Sequence, residues 1–534
     1  MDNGLNFTDP HLPHAGWVSA SRDRGSIDIL WSCGVTLMLC CWVATHPNAY
    51  APNSTTYHRF RHKVQLAALA ISGPEFVLGI AAGQFCSASR SVRLFKGDPL
   101  PGNRRWTLTH AFFVDMGGIH LVCPDFDSSF PITAMQLHYL IKNNFLDFPD
   151  MEKMDISERN TSDILARLIT LWQVIWFSIT ELERFRLGLP MTTLELTTLS
   201  FVLSMVGTEL CWIRKPSAMT PRFIHTKDGK QLQEIRQWAK DNTHPDLADE
   251  WHETPLAFLD GKRFHINTQW LAMTQLFRRF RMMPRTLYED HHWDHIPNDF
   301  WHAVDGWILI PLAIILAVFG LSFVGAWNFY FPTEIERTLW RICSVGHAIF
   351  CTYIAFSYVF ALWRWRRDSR RAIESVNRMN NPRGSISLVS PAAIPEGSVD
   401  LELGTANRAA TEDIAIDRIA TGGTRANGQD VSRSQSVRVK GETSLDPEGI
   451  HKGKAQPGIR RRVFDWVIPY RAIAADLLSS GHDINFFMLV MHFVMWFFYC
   501  FFRAYIYTED IAGMREQPVG VYLTGNRFVP FIGS

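Results

Sequence analysis

Three ionisable residues interrupt stretches of the sequence that are otherwise apolar enough to cross a membrane: Glu75, Glu209 and His347. An ionisable side chain near the centre of a bilayer costs about 2.5 to 3.5 kcal/mol on insertion scales, so each residue is a candidate functional group. Glu75 directly follows Gly73-Pro74, where the missing amide hydrogen of proline breaks a helix and frees a carbonyl beside the carboxylate. A carboxyl buried there could act as a general acid.

Each of these residues also has a structural interpretation. Glu75 could form a hydrogen bond between packed helices, or its segment could stay out of the bilayer. Glu209 lies close before Arg214 and Lys215, which favours an ion pair at the end of its helix. His347 lies on an apolar stretch, where a structural histidine is more common than a catalytic one. The sequence leaves both interpretations open.

Two further candidates, His110 and Asp115, lie in the segment Trp106–Gly118. They are too far apart in sequence to stack as an i, i+4 pair on a helix. The adjacent Gly117-Gly118 would let another backbone or a ligand approach closely. The predicted catalytic residues are therefore Glu75, His110, Asp115, Glu209 and His347.

The sequence predicts no metal site and no cofactor. The run from Asp290 to His295 lacks a third well-spaced ligand and the His-Glu-x-x-His frame of a zinc helix, so a solvated loop is the simpler interpretation. Most of the nine cysteines lie in apolar stretches at spacings that match no zinc site or disulfide framework. Nucleotide and common cofactor motifs are absent. The net charge of +1 gives no nucleic-acid footprint.

The elements that must position these residues are apolar helices. About 20 consecutive apolar residues cross a bilayer as a helix, and this length predicts an all-α, polytopic transmembrane helical bundle of about seven spans. The predicted spans are Ile29–Thr45, Val64–Phe85, Leu168–Leu182, Leu196–Ile213, Gly306–Trp327, Ile342–Trp363 and Ile484–Phe502. Val64–Phe85 and Leu168–Leu182 contain carboxylates and also suit re-entrant or interfacial helices.

Composition divides the chain into regions. Residues 371–454 lack aromatics and are rich in small, polar and charged residues, which predicts a disordered linker. The predicted regions are a polar tail at 1–25, a first membrane bundle at 26–213 with a cytoplasmic segment at 86–167, a cytoplasmic loop region at 214–302, a transmembrane hairpin at 303–363, the linker, and a last span with a tail at 455–534.

Basic residues near the ends of spans favour the cytoplasm, and Trp363–Arg367 is the strongest such cluster. Counting spans outward from it places the N-terminus in the cytoplasm and the sequon at Asn53 in a lumenal loop, where N-glycosylation is predicted. Arg59, Arg61 and Lys63 in that loop argue against this orientation.

The motif Trp106–Gly118 resembles a segment of a broad family of largely uncharacterised polytopic membrane proteins of filamentous fungi. The resemblance to this family extends to four other segments of the chain: Ile29–Asn48, Leu189–Pro216, Ala326–Arg341 and Val519–Ile532. The chain departs from the family's pattern at Ala111 and at Cys211–Pro216. Roles implied by the resemblance are therefore not carried over to those helix ends. Members of the family occur near genes for secondary metabolites. The resemblance therefore implies a role in secondary metabolism but no particular reaction.

We expect a multi-pass protein of the endoplasmic reticulum or another endomembrane that contacts the lipid bilayer and a lipophilic small molecule. Its predicted function is a cofactor-independent cyclase or isomerase that holds a terpenoid or polyketide-like intermediate in an apolar pocket with acid assistance. A metabolite exporter, or a scaffold that gathers other pathway enzymes, are the alternatives.

Overall fold

The computed structural model describes residues 14–19, 24–97, 106–149, 161–217, 220–244, 247, 254–260, 270, 293–380 and 486–523. The helices are α1 Ser26–Val43, α2 Thr56–Ser72, α3 Pro74–Gly97, α4 Leu108–Phe113, α5 Ala134–Lys142, α6 Thr161–Arg186, α7 Thr193–Trp212, α8 Leu232–Asn242, α9 Gly306–Gly325, α10 Glu334–Asn380 and α11 Phe486–Ala512. The strands are β1 His14–Ala15, β2 Ile119–Val122, β3 Phe130–Pro131, β4 Arg222–His225 and β5 Gln517–Pro518. The described chain is therefore mostly helical, as predicted, and the prediction missed two small sheets.

Among the described residues, five helices are long and apolar enough to cross a membrane: α1, α6, α7, α9 and α10. The bent pair α2 and α3 gives a sixth if it is counted as one span. Six of the seven predicted spans each coincide with one helix, and Val64–Phe85 falls on the two helices α2 and α3. The last predicted span lies on α11, which is not among the five, and its residues 484–485 lie outside the described part of the chain. Helix α10 continues to Asn380, past the predicted start of the linker, and residues 381–454 lie outside the described residues.

Helix α7 is the centre of the bundle and packs against α1, α3, α9 and α11. Its buried face carries small residues, which let neighbouring helices approach closely. A Cβ at Gly207 would lie only 3.0 Å from Leu78 and 3.1 Å from Ile315. The hydroxyls of Thr198 and Thr208 bond to carbonyls one turn earlier, so these polar groups are satisfied within the helix.

Between α2 and α3 the chain turns by 116° at Gly73. Proline at the first position of α3 suits a helix start because that amide would be unpaired in any case. Gly73 is required by packing, since a Cβ there would lie 2.4 Å from the Phe76 ring and 2.8 Å from the Tyr499 hydroxyl. The turn therefore forms a tight hairpin tip inside the bundle.

Both open ends of this hairpin lie at the same end of the bundle. Lys63 of α2 lies 5.0 Å from the ring of Trp42, near the end of α1. Gln84 of α3 accepts a hydrogen bond from Lys215, which also donates to the carbonyl of His46 just after α1. The segment Val64–Phe85 is therefore a hairpin of two helices, which is compatible with the re-entrant alternative or with one broken span.

A small domain covers this end, which we call the domain end. Strand β2 pairs antiparallel with β3 and parallel with β4, so residues before α5 and after α7 form one sheet. Its separate core includes Leu121 and Leu137 together with Ile235 of α8. The predicted segments 86–167 and 214–302 thus meet in one unit.

The opposite end, which we call the cavity end, holds the start of α1. Ser26 at that start donates to the hydroxyl of Tyr522, and β1 pairs antiparallel with β5. Arg366 of the basic cluster lies instead at the domain end, beside Gly306 at the start of α9. The start of α1 and the basic cluster therefore lie at opposite ends of the bundle, whereas the prediction, which counted Val64–Phe85 as one crossing, places them on the same side of the membrane.

Candidate functional site

A cavity of about 620 Å³ opens at the cavity end of the bundle. Its walls are contributed by α6, α7, the α6–α7 loop, the end of α9 and strand β5, and they are predominantly apolar. The lining residues are Ser178, Glu181, Leu182, Phe185, Gly188, Leu189, Pro190, Met191, Leu196, Leu199, Gly325, Phe329, Tyr330, Gln517 and Pro518. Leu182 and Phe185 are exposed to the outside of the bundle. The cavity is therefore accessible from an apolar surface.

Most polar groups in the cavity wall are already paired. Ser178 donates to the carbonyl of Val174, and Gln517 donates to that of Gly513. The Tyr330 hydroxyl donates to Glu516 at 2.9 Å. In contrast, no described residue hydrogen-bonds to Oε2 of Glu181, although this carboxyl is buried. Glu181 is thus the polar group in the wall that is available to a bound molecule.

A buried charge network lies behind Glu181. Arg24, just before α1, forms a close ion pair with Oε1 of Glu195, and its Nη2 lies 3.8 Å from Oε1 of Glu181. Glu195 also accepts hydrogen bonds from the amide and hydroxyl of Thr192, in the capping box that starts α7. Glu195 is therefore the carboxylate with the stronger partners.

Arg184 holds the chain after α11 against this network. Its guanidinium donates to the carbonyls of Leu523, Pro190 and Val521, while its Nε remains 3.8 Å from Oε2 of Glu181. Glu181 therefore has two cations at a distance and close contact with neither. Its carboxyl also lies against that of Glu195. Two neighbouring carboxylates are not both ionised without a high cost, and the less well paired Glu181 is the one expected to hold a proton.

A second polar cluster lies at the hairpin tip, and two predicted residues meet there. The hydroxyl of Tyr499 lies 2.6 Å from Oε1 of Glu75 and 3.0 Å from the carbonyl of Ser72. The Tyr499 hydroxyl is the donor in both contacts and shares its proton between the two acceptors. Oε2 of Glu75 is buried, and no described residue hydrogen-bonds to it.

His347 and Cys351 of α10 complete this cluster. They are an i, i+4 pair, with the thiol 3.8 Å from Nε2 and 3.9 Å from Nδ1 of the imidazole. One ligand atom from each of Glu75, His347 and Cys351 lies within 4.8 Å of the others. The backbone of Gly320 hydrogen-bonds to the imidazole, and a Cβ at Gly320 would lie 2.8 Å from that of Cys351.

Arg503 lies beside the cluster and is 3% exposed. It donates to the Ser72 carbonyl through Nε and to the Tyr507 hydroxyl through Nη2. Tyr507 in turn donates to the carbonyl of Ile71. Four rings surround the guanidinium at 4.8 to 5.4 Å, those of Phe201, Phe319, Phe323 and Tyr507. Arg503 thus caps the broken end of α2, and aromatic faces compensate part of its charge.

The other three predicted catalytic residues lie elsewhere. Glu209 is at the domain end, 3.3 Å from Nε2 of His46 and 3.5 Å from Nε of Arg167. It thus forms an ion pair at a helix end, although its partner is Arg167 and not the expected Arg214 or Lys215.

Asp115 and His110 are part of the small domain and its connection to α3. Asp115 accepts from the amide of Ala134 at 2.8 Å and from the hydroxyl of Ser87 at 3.1 Å, and burial raises its pKa to about 6. His110 accepts from the amide of Thr107 in the capping box of α4. These contacts join neighbouring elements, and neither residue lines the cavity.

Lys215 is a buried cation that no sequence pattern identified as functional. Its ammonium donates to the carbonyl of His46 at 2.6 Å, to Oδ1 of Asn48 at 3.0 Å and to Oε1 of Gln84 at 3.0 Å. The ring of Trp212 lies 4.5 Å away. Burial lowers the pKa of Lys215 from 10.5 to about 7. This cluster joins α1, α3 and α7 at the domain end.

The sequon residue Asn53 is exposed in a turn before α2. The loop that carries it is held at the domain end, since Asn48 donates to the carbonyls of Ile296 and Pro297. The basic cluster lies at the same end. In a bundle that crosses a membrane, Asn53 and the basic cluster would therefore lie on the same side. The predicted combination of a cytoplasmic basic cluster and a glycosylated Asn53 does not fit this arrangement.

The N-terminal part of the chain is similar to a known protein family. The family described as "Family of unknown function (DUF8562)" matches residues 7–235, which is less than half of the chain. No curated protein and no solved structure matches the chain. The match covers α1 to α7 and the start of α8, and it therefore includes Glu75 and Glu181 but not His347 or Arg503.

Proposed function

We propose that this protein is an integral, multi-pass membrane enzyme that binds a lipophilic intermediate of secondary metabolism and promotes its cyclisation or isomerisation. The observation that carries the proposal is the apolar cavity with the available carboxyl of Glu181 in its wall. Five apolar helices support a location in a bilayer, and the resemblance to fungal membrane proteins supports the metabolic setting and the endomembrane location.

The size and polarity of the cavity suit such a substrate. Pockets for small molecules are typically about 300 to 1,000 Å³, apolar, and provided with a few polar groups that fix orientation. The exposed side chains of Leu182 and Phe185 at its rim would face lipid, so a terpenoid or polyketide-like molecule could enter from the bilayer. Apolar walls would hold the chain folded near its reactive geometry.

Glu181 would supply the acid. Its proton adds to an alkene, epoxide or carbonyl group of the bound molecule, and a π bond of the same molecule attacks the electron-poor centre. Loss of a proton from the resulting cation back to Glu181 restores the enzyme and gives an isomer of equal mass. Arg24 and Arg184, each 3.8 Å from Glu181, stabilise the carboxylate formed between the two proton transfers.

The test begins with metabolite profiles of cells that lack the gene. Any accumulated precursor is then incubated with membranes that contain the wild-type chain, Glu181→Gln, or the matched control Glu183→Gln on the same helix. We expect conversion to an isomer of equal mass, lost by about 10²- to 10⁴-fold in Glu181→Gln and retained in Glu183→Gln. Equal activity of Glu181→Gln and wild type would refute the acid role.

Export of a metabolite is the second candidate, and the hairpin of α2 and α3 favours it. Broken helices with ionisable residues near the middle of a bundle are typical of transporters. In that case the precursor stays unchanged in membranes, the finished product accumulates inside cells that lack the gene, and Glu75→Gln impairs release more than Glu181→Gln does. A scaffold would be insensitive to both substitutions.

A further inference from the structure

We infer that Glu75, His347 and Cys351 form a binding site for a zinc-like transition metal ion at the hairpin tip. The ligand atoms of these three buried residues lie within 4.8 Å of one another. A carboxylate, an imidazole and a thiolate are the donor types that bind zinc in proteins. This site is separate from the cavity and does not depend on the proposed function.

The geometry requires small movements to hold an ion. Ligand atoms in a tetrahedral zinc site are about 3.6 Å apart, given bond lengths of about 2.0 to 2.3 Å. The Cys351 thiol and the His347 imidazole are already 3.8 Å apart because they are one helical turn apart on α10. Glu75 comes from the other element, α3, and its rotation about the side-chain bonds would close the remaining distance.

The hydrogen bonds around the three residues resemble the outer shell of a metal site. The backbone of Gly320 binds the imidazole of His347, which would orient the ring and fix its tautomer. Tyr499 contacts Oε1 of Glu75 and would hold the carboxylate in the same way. Three protein ligands leave a fourth position for water or another donor, as in zinc sites that retain an open position.

Independent support comes from the unpaired oxygen of Glu75. Oε2 is buried in a residue that is 5% exposed, and no described residue hydrogen-bonds to it. A buried polar atom without a partner costs about 1 to 3 kcal/mol, so such atoms are uncommon unless a ligand or ion completes the site. A metal ion would give Oε2 the partner that it lacks.

Charge balance also permits the ion. A divalent ion would be held by Glu75 as a carboxylate and by Cys351 as a thiolate, because only these forms are ligands. Their two negative charges would balance the charge of the ion. The Arg503 guanidinium would remain on the Ser72 carbonyl and the aromatic rings.

The experiment measures metal bound to full-length protein purified in detergent. After removal of metal by a chelator and dialysis against zinc, elemental analysis should give one zinc per chain. With cobalt in place of zinc, a thiolate-to-cobalt charge-transfer absorption should appear. Cys351→Ser should lose that absorption and the bound zinc.

The matched control is Cys343→Ser. Cys343 is a buried cysteine about two turns before Cys351 on the same helix. This variant should bind zinc like the wild type. His347→Gln should lose zinc while its gel-filtration profile and melting temperature show that it folds. Absence of zinc from the folded wild type, or equal zinc in the wild type and Cys351→Ser, would overturn the inference. Since the readout is bound metal, failure here leaves the cavity proposal untouched.

Discussion

The two ends of α7 bury charge in different ways. At its start, Glu195 forms a close ion pair with Arg24, and Glu181 shares the same cation at longer range beside an open cavity. At its far end, Lys215 is surrounded by neutral oxygens and the ring of Trp212, in a region where three helices pack closely.

This difference separates a site with a polar atom available to a bound molecule from a site whose polar groups are all used to hold elements together. A carboxyl pair that shares cations has a spare hydrogen-bonding atom, Oε2 of Glu181, and a cavity next to it. The ammonium of Lys215 uses its three donors on three oxygens and has none left for a ligand. For this reason the proposed chemistry is placed at the cavity end, whereas the contacts of Lys215 join helices at the domain end.

Among these substitutions, Arg24→Met at the cavity end should lower the free energy of unfolding the most. Glu195 would remain buried without its close cation, and removal of one partner of a buried ion pair costs about 3 to 5 kcal/mol. Denaturation in detergent micelles should show this loss. Arg93→Met, at a half-exposed ion pair with Asp305, should cost less than about 1 kcal/mol. The double variant Arg24→Met/Glu195→Gln should recover part of the stability; no recovery would contradict the ion-pair explanation.

Lys215→Met should have a smaller effect that depends on pH. Three buried oxygens would lose a donor, which costs about 1 to 3 kcal/mol near neutral pH. Because burial lowers the folded-state pKa of Lys215 to about 7 from 10.5, the unfolded chain binds more protons between these values. Wild-type stability should therefore rise with pH in this window, by at most about 1.4 kcal/mol per pH unit from this group.

Melting temperatures at several pH values above 7 provide the measurement. Lys215→Met should lack this rise, whereas Lys227→Met, at a partly exposed lysine paired with Asp147, should retain it. If all three proteins respond equally to pH, Lys215 is not the group responsible.

The sequence predicted the long apolar helices because apolar runs are a local property. It also predicted the break at Gly73-Pro74 and placed Glu75 and His347 among the candidate residues, which the structure brings into one cluster. The pairing of His347 with Cys351 was readable as an i, i+4 spacing, and the capping box of Thr192 and Glu195 as Thr-x-x-Glu.

The sequence did not predict the features that depend on distant contacts. Arg503 directly follows the last predicted span in the sequence, yet it caps a helix that lies far away in the chain, at Ser72. Glu181 counted only as a carboxylate within Leu168–Leu182, and its role in the cavity could not be predicted because the remote residues Tyr330 and Pro518 complete the wall. The strands were missed because they are only two to four residues long, too short for an alternating pattern.

Glycosylation should have the smallest effect on the protein, and it shows which end of the bundle lies on which side of the membrane. If the basic cluster is cytoplasmic, Asn53 at the domain end is also cytoplasmic, and Asn53→Gln should leave the electrophoretic mobility unchanged. A sequon made by Trp17→Asn, followed by Val18 and Ser19, would lie at the cavity end and should be glycosylated, with a shift that an endoglycosidase reverses. Loss of a glycan in Asn53→Gln would instead place the domain end in the lumen. The cavity would then open near the cytoplasmic face, so that its substrate would have to come from enzymes on that side.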